Sequence, residues 1–410
     1  MLDRLSIDSQ AVDAFLKERI MKKVFVTVCL FLFAFSLVLG GCGKKEQTLK
    51  IGFSIPMTGN SPKLGESARN SGELVKKQIN DVGGLDVKGT KYKVEFVYVD
   101  NELRPESAVQ AALRLIDQDR VLAIVGPLGS GRAIPAGEIC NDRQVPMVSP
   151  WATNPAVTLD RPYVFRACVL DPVQAPAAIR FASQQFPNIT RAAVLYNVED
   201  DYSYGLAGLF RGNWESQHGA GSIVAYESCG ENDRDFSAQL TKIVSSGAEI
   251  LYLPIYYNLV ALVVPQARNL GWGDRPVLGS DSWGSADIVT LSNNAVRGYY
   301  FTDHFAAEGA TGITKEFIDQ YKAAYGETPD SVAALTYDSA KIVLQAVVNA
   351  GITGNLQKDR IAIRDAIIFL RDYPGVTGTM TFNVDGDPDK SVVVVRIGDS
   401  GEFIFTANIR

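Results

Sequence analysis

Short apolar runs alternate with amphipathic stretches along the first part of the chain. The runs predict strands at Leu49–Ile55, Tyr92–Val99, Val121–Val125 and Val145–Val148. Helical periodicity lies between the predicted strands, at Glu66–Asn80, Glu106–Gln118 and Arg132–Asn141. Apolar strands separated by crossover helices are typical of parallel sheets that are covered on both faces. This half of the pattern therefore predicts one doubly wound α/β lobe.

A second series of the same kind follows. Its predicted strands are Arg191–Tyr196, Ile223–Glu227, Glu249–Leu253 and Val277–Leu278, and its predicted helices are Tyr204–Gln217, Phe236–Ser246 and Leu259–Leu270. The tail differs: predicted helices at Thr314–Tyr325, Val332–Ala350 and Arg360–Leu370 precede short strands at Thr379–Asn383, Ser391–Ile397 and Phe403–Phe405. The tail is too small for a third domain, so we expect it to complete two parallel-sheet lobes of the α/β class.

Composition narrows the functional classes. The 410 residues are 46% hydrophobic and 21% charged, which suits a globular protein with a large core in two domains. The net charge of −6 and the absence of a basic stripe argue against nucleic-acid binding. Only two histidines occur, His218 and His304, which disfavours a zinc enzyme or a histidine-based triad. We interpret both as structural residues.

The N-terminal segment has the pattern of an export signal. Lys22 and Lys23 precede an apolar run over 24–39, which ends in Gly40-Gly41-Cys42. This ending resembles a bacterial lipobox, and the resemblance implies that Cys42 is lipidated and begins the mature protein. An uncleaved membrane anchor is the alternative, but the run is shorter than the ~20 residues of a membrane span. We therefore predict a mis-called start over 1–20, a lipoprotein signal peptide over 21–41 and a lipidated tether over 42–48.

Three cysteines remain after Cys29 and Cys42 are set aside: Cys140, Cys168 and Cys229. An exported protein can form disulfides, but an odd number leaves at least one cysteine unpaired. Cys140 with Cys168 is the pair that we favour. No CxxC motif or metal-ligand spacing is present, and we predict neither a metal nor a cofactor. The acidic run 383–389 lacks the spacing and final Glu of an EF-hand, so a hairpin turn is favoured there.

Ordered motifs extend across nearly the whole predicted mature chain. They are IGFSIPMTG (51–59), VGP (125–127), GSG (129–131), PMVSPWATNP (146–155), DYSYG (201–205), QAR (266–268), GSD (279–281), YGETP (325–329) and PGVTG (374–378). Together they resemble the branched-chain amino-acid-binding family of type I periplasmic binding proteins. The resemblance implies two lobes joined by three crossings, near Leu170, Thr302 and Pro374, with ligand in the cleft. Lobe 1 would comprise 49–170 and 303–374, and lobe 2 would comprise 171–302 and 375–410.

The first candidate binding loop is Gly126-Pro127-Leu128-Gly129-Ser130-Gly131-Arg132-Ala133, which follows a predicted strand and opens a predicted helix. Its glycine spacing is that of a phosphate-binding P-loop, but Arg132 and Ala133 occupy the positions of the required Lys and Ser or Thr. Free N–H groups at a helix N-terminus attract anions, so we favour a carboxylate-binding loop. A tight structural turn is the alternative. The resemblance implies that Ser130 contacts the ligand carboxylate.

The second candidate loop follows the predicted strand Val145–Val148. A hydroxyl at Thr153 can donate to a carboxylate while accepting from an ammonium, and the resemblance implies this role. The resemblance also implies that the Trp151 carbonyl accepts from the ammonium. Trp151 departs from the small residue usual at this position, so we expect its ring to fill part of the pocket. A turn capped by Thr153 and Asn154 is the alternative.

Lobe 2 offers a carboxylate and aromatic rings. Asp281 follows a predicted strand and could pair with an ammonium, or instead cap a helix that starts near Ser285. The resemblance implies that Tyr204 and Tyr256 close on the ligand, and that Leu64 of lobe 1 lines the side-chain pocket. The neighbours Tyr202 and Tyr257 are ranked lower, because each is as readily a core or surface residue.

The sequence thus predicts an exported, lipid-anchored monomer without catalytic residues. It would capture an amino acid or close analogue and deliver it to the permease subunits of an ABC importer. A sensor or envelope scaffold on the same fold, or a binder of amides or small carboxylates, remains an alternative. An α/β enzyme is disfavoured, because neither a GxSxG nucleophile elbow with triad partners nor a GxGxxG after the first strand occurs.

Overall fold

The structure is a computed structural model that describes residues 10, 13–14, 16–27 and 47–409. The chain divides into two compact units, at 1–47 and 48–410. In the first unit, residues 16–27 are helical. The predicted lipidation site Cys42, and the predicted signal segment beyond residue 27, lie outside the described residues.

The first sheet has six strands: β1 (Thr48–Ile55), β2 (Leu85–Val87), β3 (Thr90–Asp100), β4 (Ile124–Val125), β5 (Met147–Ser149) and β6 (Val164–Arg166). Their order is β2-β3-β1-β4-β5-β6, and every pair except β2–β3 is parallel. Three helices cross over between the strands: α1 (Pro62–Asn80), α2 (Pro105–Leu113) and α3 (Ser130–Asp142). The chain passes from α2 into a π-helical turn at Arg114–Gln118.

The second sheet is built in the same way. Its parallel strands are β7 (Ala192–Asn197), β8 (Ile223–Cys229), β9 (Ile250–Leu253), β10 (Val277–Gly279) and β11 (Tyr300–Asp303). Its helices are α4 (Asp171–Gln185), α5 (Asp201–His218), α6 (Ser237–Ser245), α7 (Tyr257–Asn269) and the short α8 (Asp287–Leu291). All four residues of β9 are buried, as expected for a central strand that is covered on both faces.

The C-terminal part of the chain completes both lobes, adding helices to the first and strands to the second. Helices α9 (Gly312–Tyr325), α10 (Ser331–Ala350) and α11 (Leu356–Ile368) pack with the first sheet, and α10 contacts α1, β2, β4 and β5. Strands β12 (Tyr373–Gly375) and β13 (Gly378–Met380) form a small hairpin. Strands β14 (Val392–Ile397) and β15 (Phe403–Ile409) then extend the second sheet in antiparallel fashion, giving the order β15-β14-β11-β10-β9-β7-β8.

Helix α10 is long and apolar enough to cross a membrane by length and composition. However, 78% of its apolar window is buried inside the structure, where it covers the first sheet. Its apolar character is therefore explained by burial in the core. Among the described residues, no other helix meets the same length and composition criteria.

Two lobes are thus defined by the two sheets and their helices, and the chain passes between them three times. The first passage lies between β6 and α4, and the second follows β11. The third is predicted near Pro374, and the segment after β13 still contacts the first lobe. There Asp387 pairs with Arg166 (Oδ1 to Nε, 2.6 Å), and the Phe382 and Phe165 ring centroids are 5.9 Å apart.

The α/β class and the two largely parallel sheets predicted from the alternating pattern are confirmed. The predicted disulfide is wrong. Cys140 and Cys168 are both free and fully buried, and they lie in different apolar clusters of the core. Burial raises the pKa of each thiol to about 12, as expected for inert structural cysteines. Cys229 is also free.

Candidate functional site

The loops at the carboxyl ends of both sheets face one another across a cleft between the lobes. Trp151, after β5, meets Tyr256, after β9, in an edge-on arrangement with ring centroids 5.7 Å apart. The Asn154 side-chain amide of lobe 1 donates to the Asp201 carbonyl of lobe 2 over 3.0 Å. Open α/β sheets bind ligands at the carboxyl ends of their strands, so this cleft is the candidate site.

The loop after β4 brings the N-terminus of α3 into the cleft. Ser130 is fully buried as the first residue of α3, and its hydroxyl accepts a hydrogen bond from the Asn154 N–H (3.1 Å). Gly129 has a positive φ of 78° and donates its N–H to the Trp151 carbonyl over 2.9 Å. A Cβ at Gly129 would overlap the Tyr256 hydroxyl, so the close approach of the lobes requires glycine here. The two predicted ligand loops of lobe 1 are therefore held together.

Thr153 and Trp151 carry polar atoms that lack hydrogen-bond partners. The Thr153 hydroxyl and the Trp151 indole Nε1 are both buried and unpartnered. The backbone of Thr153 is fixed, because its carbonyl accepts from the Asp171 N–H over 3.0 Å. Buried polar groups in proteins are nearly always hydrogen-bonded, so these two atoms indicate a missing partner in the cleft.

Asp171, at the start of α4, is the most unusual residue of the site. It is fully buried, and neither carboxylate oxygen has a hydrogen-bond partner. Burial, together with the negative charge of Asp281, raises the pKa of Asp171 to about 8. The Thr153 hydroxyl opposes this shift in part, but it does not meet the carboxylate with the geometry of a hydrogen bond. Asp171 was not among the residues predicted to bind the ligand, because the segment near Leu170 was assigned only to a crossing between the lobes.

Two further unpartnered groups lie near Asp171. Gln174, three residues further along α4, leaves its Nε2 free while its Oε1 accepts from the Asp281 N–H (3.1 Å) and the Thr302 hydroxyl (2.6 Å). The Tyr252 hydroxyl is buried without a partner. Its burial raises its pKa, and the charges of Asp171 and Asp281 raise it further. We call the polar atoms of these residues the unpartnered cluster, with members Trp151, Thr153, Asp171, Gln174 and Tyr252.

Asp281 is, by contrast, well satisfied. Its Oδ1 accepts from the Tyr202 hydroxyl over 2.6 Å, and its Oδ2 lies 3.1 Å from His304 Nε2. The Tyr202 hydroxyl also lies 2.6 Å from the Ser280 hydroxyl. Asp281 is not a helix N-cap with a side-chain bond; instead it begins a 3₁₀ turn at Asp281–Trp283. Asp281 is therefore a buried carboxylate on the lobe 2 side whose oxygens already have protein partners.

The tyrosines of α5 face opposite ways. Tyr202 is buried and points to Asp281, whereas Tyr204 is 59% exposed and its ring contacts that of Tyr196 at 6.1 Å. Two residues along a helix differ by about 200° in direction, so only one of the pair can face the cleft. The structure does not bring Tyr204 to the site; it brings Tyr202, the neighbour that was ranked lower.

The remaining predicted residues are buried. Tyr256 is 2% exposed, and its ring lies between Trp151 and Tyr202, whose centroid is 5.8 Å away. Leu64 lies buried on α1 and belongs to the same large apolar cluster as Trp151 and Tyr256. Both residues can therefore supply apolar surface to a ligand.

No group of three or more potential metal ligands occurs within the described ranges. The acidic turn at 383–389 holds itself together instead, because the Asn383 side chain accepts from the N–H groups of Asp385 and Asp387 at 2.9 Å. Asp387 is further occupied by Arg166 and the Thr158 hydroxyl. These contacts give the acidic turn a structural role, because they hold its backbone and engage the Asp387 carboxylate.

Two doubly wound lobes, joined by three passages and facing one another across a polar cleft, define a solute-binding protein of the type I periplasmic fold. A family model described as "Periplasmic binding protein" matches residues 48–402. The chain belongs to this family, within the group of branched-chain amino-acid ABC-transporter substrate-binding proteins. That group is not one of enzymes, and its members act outside the cytoplasm.

Individual relatives cover most of the chain. The leucine-, isoleucine-, valine-, threonine- and alanine-binding protein of Pseudomonas aeruginosa is 29% identical over 345 residues, 83% of this chain and 87% of that protein. A leucine-binding protein from Thermotoga maritima aligns with a TM-score of 0.80 and 32% identity, covering 88% of this chain and 99% of that one. A branched-chain amino-acid transporter substrate-binding protein from Streptococcus pneumoniae, solved with isoleucine, aligns with a TM-score of 0.78 and 29% identity, covering 88% and 100%.

The same fold also serves other ligands. A solute-binding protein from R. palustris, solved with benzoate, has a TM-score of 0.76 at 20% identity and covers 88% of this chain and 96% of its own. At that identity the likeness concerns the fold alone. The identity of the ligand must therefore be argued from the residues of the cleft.

Proposed function

We propose that the protein captures an α-amino acid in the cleft and delivers it to an ABC importer. The observation that carries this proposal is the unpartnered cluster, in which a carboxylate, a hydroxyl, an amide N–H and an indole N–H are each buried without a hydrogen-bond partner. Leaving such groups unsatisfied costs about 1–3 kcal/mol each. A zwitterion supplies partners of both kinds, because its ammonium donates and its carboxylate accepts.

The carboxylate of the ligand would bind on the lobe 1 side. Helix α3 begins at Ser130, and its first backbone N–H groups would face the ligand carboxylate, because the helix dipole favours negative charge at an N-terminus. The Thr153 hydroxyl lies on the neighbouring loop, tied to Ser130 through Asn154. Ser130 would act through this backbone position and Thr153 through its free hydroxyl, in agreement with the roles expected for them.

The ammonium would bind to Asp171. Its two unpartnered oxygens can accept charge-assisted hydrogen bonds, which are among the strongest polar contacts in proteins. Asp281 would add negative charge behind Asp171, since its own oxygens are engaged by Tyr202 and His304. We therefore assign the primary ammonium contact to Asp171 and a supporting role to Asp281. The sequence had predicted that Asp281 itself makes the contact.

The side chain of the ligand would lie against Trp151, Tyr256 and Leu64. These residues are buried and mostly apolar, which favours an aliphatic side chain. The named ligands of the Pseudomonas relative are aliphatic amino acids and threonine, and we propose the same class here. Because the Trp151 ring occupies space in the cleft, we expect the smaller members of that class, such as valine, alanine and threonine, to bind at least as well as leucine.

The remaining parts of the proposal concern the cell envelope. Cys42 would carry a lipid that anchors the protein outside the cytoplasm, and the protein would act as a monomer that docks on permease subunits. These features follow from the lipobox-like segment and the family. Mass spectrometry of the membrane-extracted protein tests the anchor, since a diacylated N-terminal Cys42 and the absence of residues 1–41 are expected.

A thermal-shift screen of ligand-stripped protein that begins at Gly43 tests the ligand class. The panel contains the twenty amino acids, their amides, and small carboxylates including benzoate. Ligands that bind only the folded state raise Tm by mass action. Shifts with valine, alanine, threonine or leucine are expected. Shifts confined to carboxylates or amides would contradict the role of Asp171, and silence across the panel would favour a sensor or scaffold on this fold.

A further inference from the structure

Arg132 and Asp200 form a buried ion pair that joins the two lobes at the edge of the cleft. Arg132 belongs to α3 of lobe 1, and Asp200 directly precedes α5 of lobe 2. The arginine Nη1 donates to Asp200 Oδ2, and the two side chains are 7% and 4% exposed. We propose that this pair, named here the interlobe clasp, holds the lobes closed and sets the overall binding affinity without contributing to the choice of ligand. The proposal rests on the proposed function and adds a residue pair that governs closure of the same site.

Arg132 is held by both lobes at once. Within lobe 1 its Nε donates to the Leu103 carbonyl over 2.8 Å. Across the cleft its guanidinium lies 5.5 Å from the centroid of the Tyr256 ring, in a cation–π arrangement. Opening the lobes would break the contacts to Asp200 and Tyr256 but leave the contact to Leu103. The guanidinium is therefore positioned by lobe 1 to meet lobe 2.

Asp200 connects closure to the residues of the cleft. Its Oδ1 caps α5 by accepting from the N–H groups of Tyr202 (2.9 Å) and Ser203 (3.3 Å), while Oδ2 takes the arginine. Tyr202, in turn, donates to Asp281. The clasp thus fixes the helix end that carries Tyr202. Neither charge is in hydrogen-bond contact with the unpartnered cluster, so the clasp acts on closure rather than on ligand contacts.

Some other polar contacts between the lobes lie at more exposed positions, among them the bond from the Asn154 amide to the Asp201 carbonyl. The Asn60 side chain of lobe 1 reaches Glu231 of lobe 2 over 3.4 Å at an exposed position. Exposed contacts of this kind contribute little, whereas removing one partner of a buried charge pair leaves the other charge uncompensated. Asn60→Ala is therefore a matched control that removes an interlobe contact, and Arg143→Met removes a surface ion pair with Asp117 within lobe 1.

The test measures binding and closure in the same variants. Arg132→Met, Arg132→Lys and Asp200→Asn are compared with the wild type by calorimetric titration with L-valine, L-threonine and L-leucine. The fraction of closed molecules is followed by small-angle X-ray scattering with and without each probe. Asp200→Asn keeps an oxygen for the helix cap, so it separates the clasp from the cap. Circular dichroism establishes that each variant is folded.

We expect Arg132→Met to weaken all three probes by about 30-fold or more, and Asp200→Asn by about 10-fold. The ratios between the probes should stay within about twofold of the wild-type ratios, because the closed population enters every apparent Kd by the same factor. The two controls should change Kd by less than about twofold. The double variant should be no weaker than the worse single variant, since both remove the same interaction.

Unchanged affinity and unchanged scattering in folded Arg132→Met and Asp200→Asn would overturn the clasp while leaving the proposed function intact. Altered ratios between the probes would overturn its independence from ligand choice. If the wild type bound none of the probes, the proposed function would fail; the clasp would still stand if the wild type were partly closed and the variants were not. A wild type that never closes would overturn the clasp as well.

Discussion

Two buried carboxylates lie in the same cleft, yet their surroundings differ completely. Asp281, which follows β10 in the chain, is hydrogen-bonded to Tyr202 and His304. Asp171, at the start of α4, has no hydrogen-bond partner for either carboxylate oxygen. Both are nearly inaccessible to solvent. A buried carboxylate with protein partners is a structural element, and one without partners is prepared for something that arrives from outside. The comparison therefore favours a supporting role for Asp281 and direct contact with the ligand for Asp171.

The largest expected effect comes from Asp171→Asn. The amide keeps the shape but cannot pair with an ammonium as a charge, so affinity for L-valine should fall by about 30-fold or more. Thermal stability of the ligand-free protein should not fall, because no native partner is lost. Calorimetric titration and thermal melts measure the two quantities. Tight valine binding by this variant would move the ammonium contact to Asp281.

Thr153→Val should have the next largest effect. It removes a hydroxyl that has no protein partner, while its shape is retained, so valine affinity should fall by about tenfold as one ligand hydrogen bond is lost. Thr153→Ser restores the hydroxyl and should recover most of the affinity. Isothermal titration of both variants provides the measurement. Equal losses in Val and Ser variants would indicate a packing role instead.

Tyr202→Phe and Tyr204→Phe sharpen the contrast on the lobe 2 side. Tyr202→Phe removes the hydroxyl that donates to Asp281, so a buried carboxylate oxygen loses one hydrogen bond. The free energy of unfolding should therefore fall by about 1–3 kcal/mol. The second alters an exposed ring and should change stability by less than about 0.5 kcal/mol. Urea unfolding of both variants measures this difference. A similar loss in both would contradict the assignment of Tyr202 to the cleft.

The raised pKa of Asp171 predicts a smaller, pH-dependent effect. Its pKa is about 8 in the folded protein and ~3.9 in an unfolded chain, so between these values the native state holds the extra proton. The stability contributed by this group is therefore present at low pH and lost as pH rises toward 8. Between about pH 5 and pH 8, the Tm of the ligand-free wild type should fall more steeply than the Tm of the ligand-free Asp171→Asn variant.

The same proton should be released when an ammonium binds, because the contact favours the ionised carboxylate. At neutral pH we expect a fraction of one proton to leave per valine bound. Titrations in two buffers with different ionisation enthalpies measure this number directly. No proton release in the wild type would show that Asp171 is already ionised, or that the ammonium binds elsewhere.

Much of the fold followed from local pattern. The strands β1, β3 and β7 and the helices α1 and α9 were predicted within a few residues, because each repeats its apolar positions with a clear period. Helix α4 and strand β6 were not predicted. Helix α4 contains Pro176 and many alanines, which weaken its periodic pattern, and β6 has only three residues, all of them buried.

The candidate site divides in the same way. Ser130, Trp151, Thr153, Tyr256 and Asp281 follow strands, where ligands of open α/β sheets bind, and the family resemblance suggested ligand roles for Ser130, Trp151, Thr153 and Tyr256. Tyr204 was ranked above Tyr202 because it matches a tyrosine of the family, and the sequence does not show which face of α5 is covered. Asp171 was missed because its importance lies in what it does not contact, and contacts across lobes are absent from any local pattern.

The class of the protein can be inferred from its sequence alone: two α/β lobes whose alternating apolar runs can be buried only as covered parallel sheets, with polar chemistry at the strand ends. Which of the polar groups have hydrogen-bond partners depends on the fold. Asp281 is bonded to Tyr202 and His304, Arg132 is bonded to Asp200, and the two oxygens of Asp171 remain without partners. The physical reason is that burial depends on neighbours that are distant in sequence, and the free energy of a buried charge is fixed by those neighbours rather than by the residue itself.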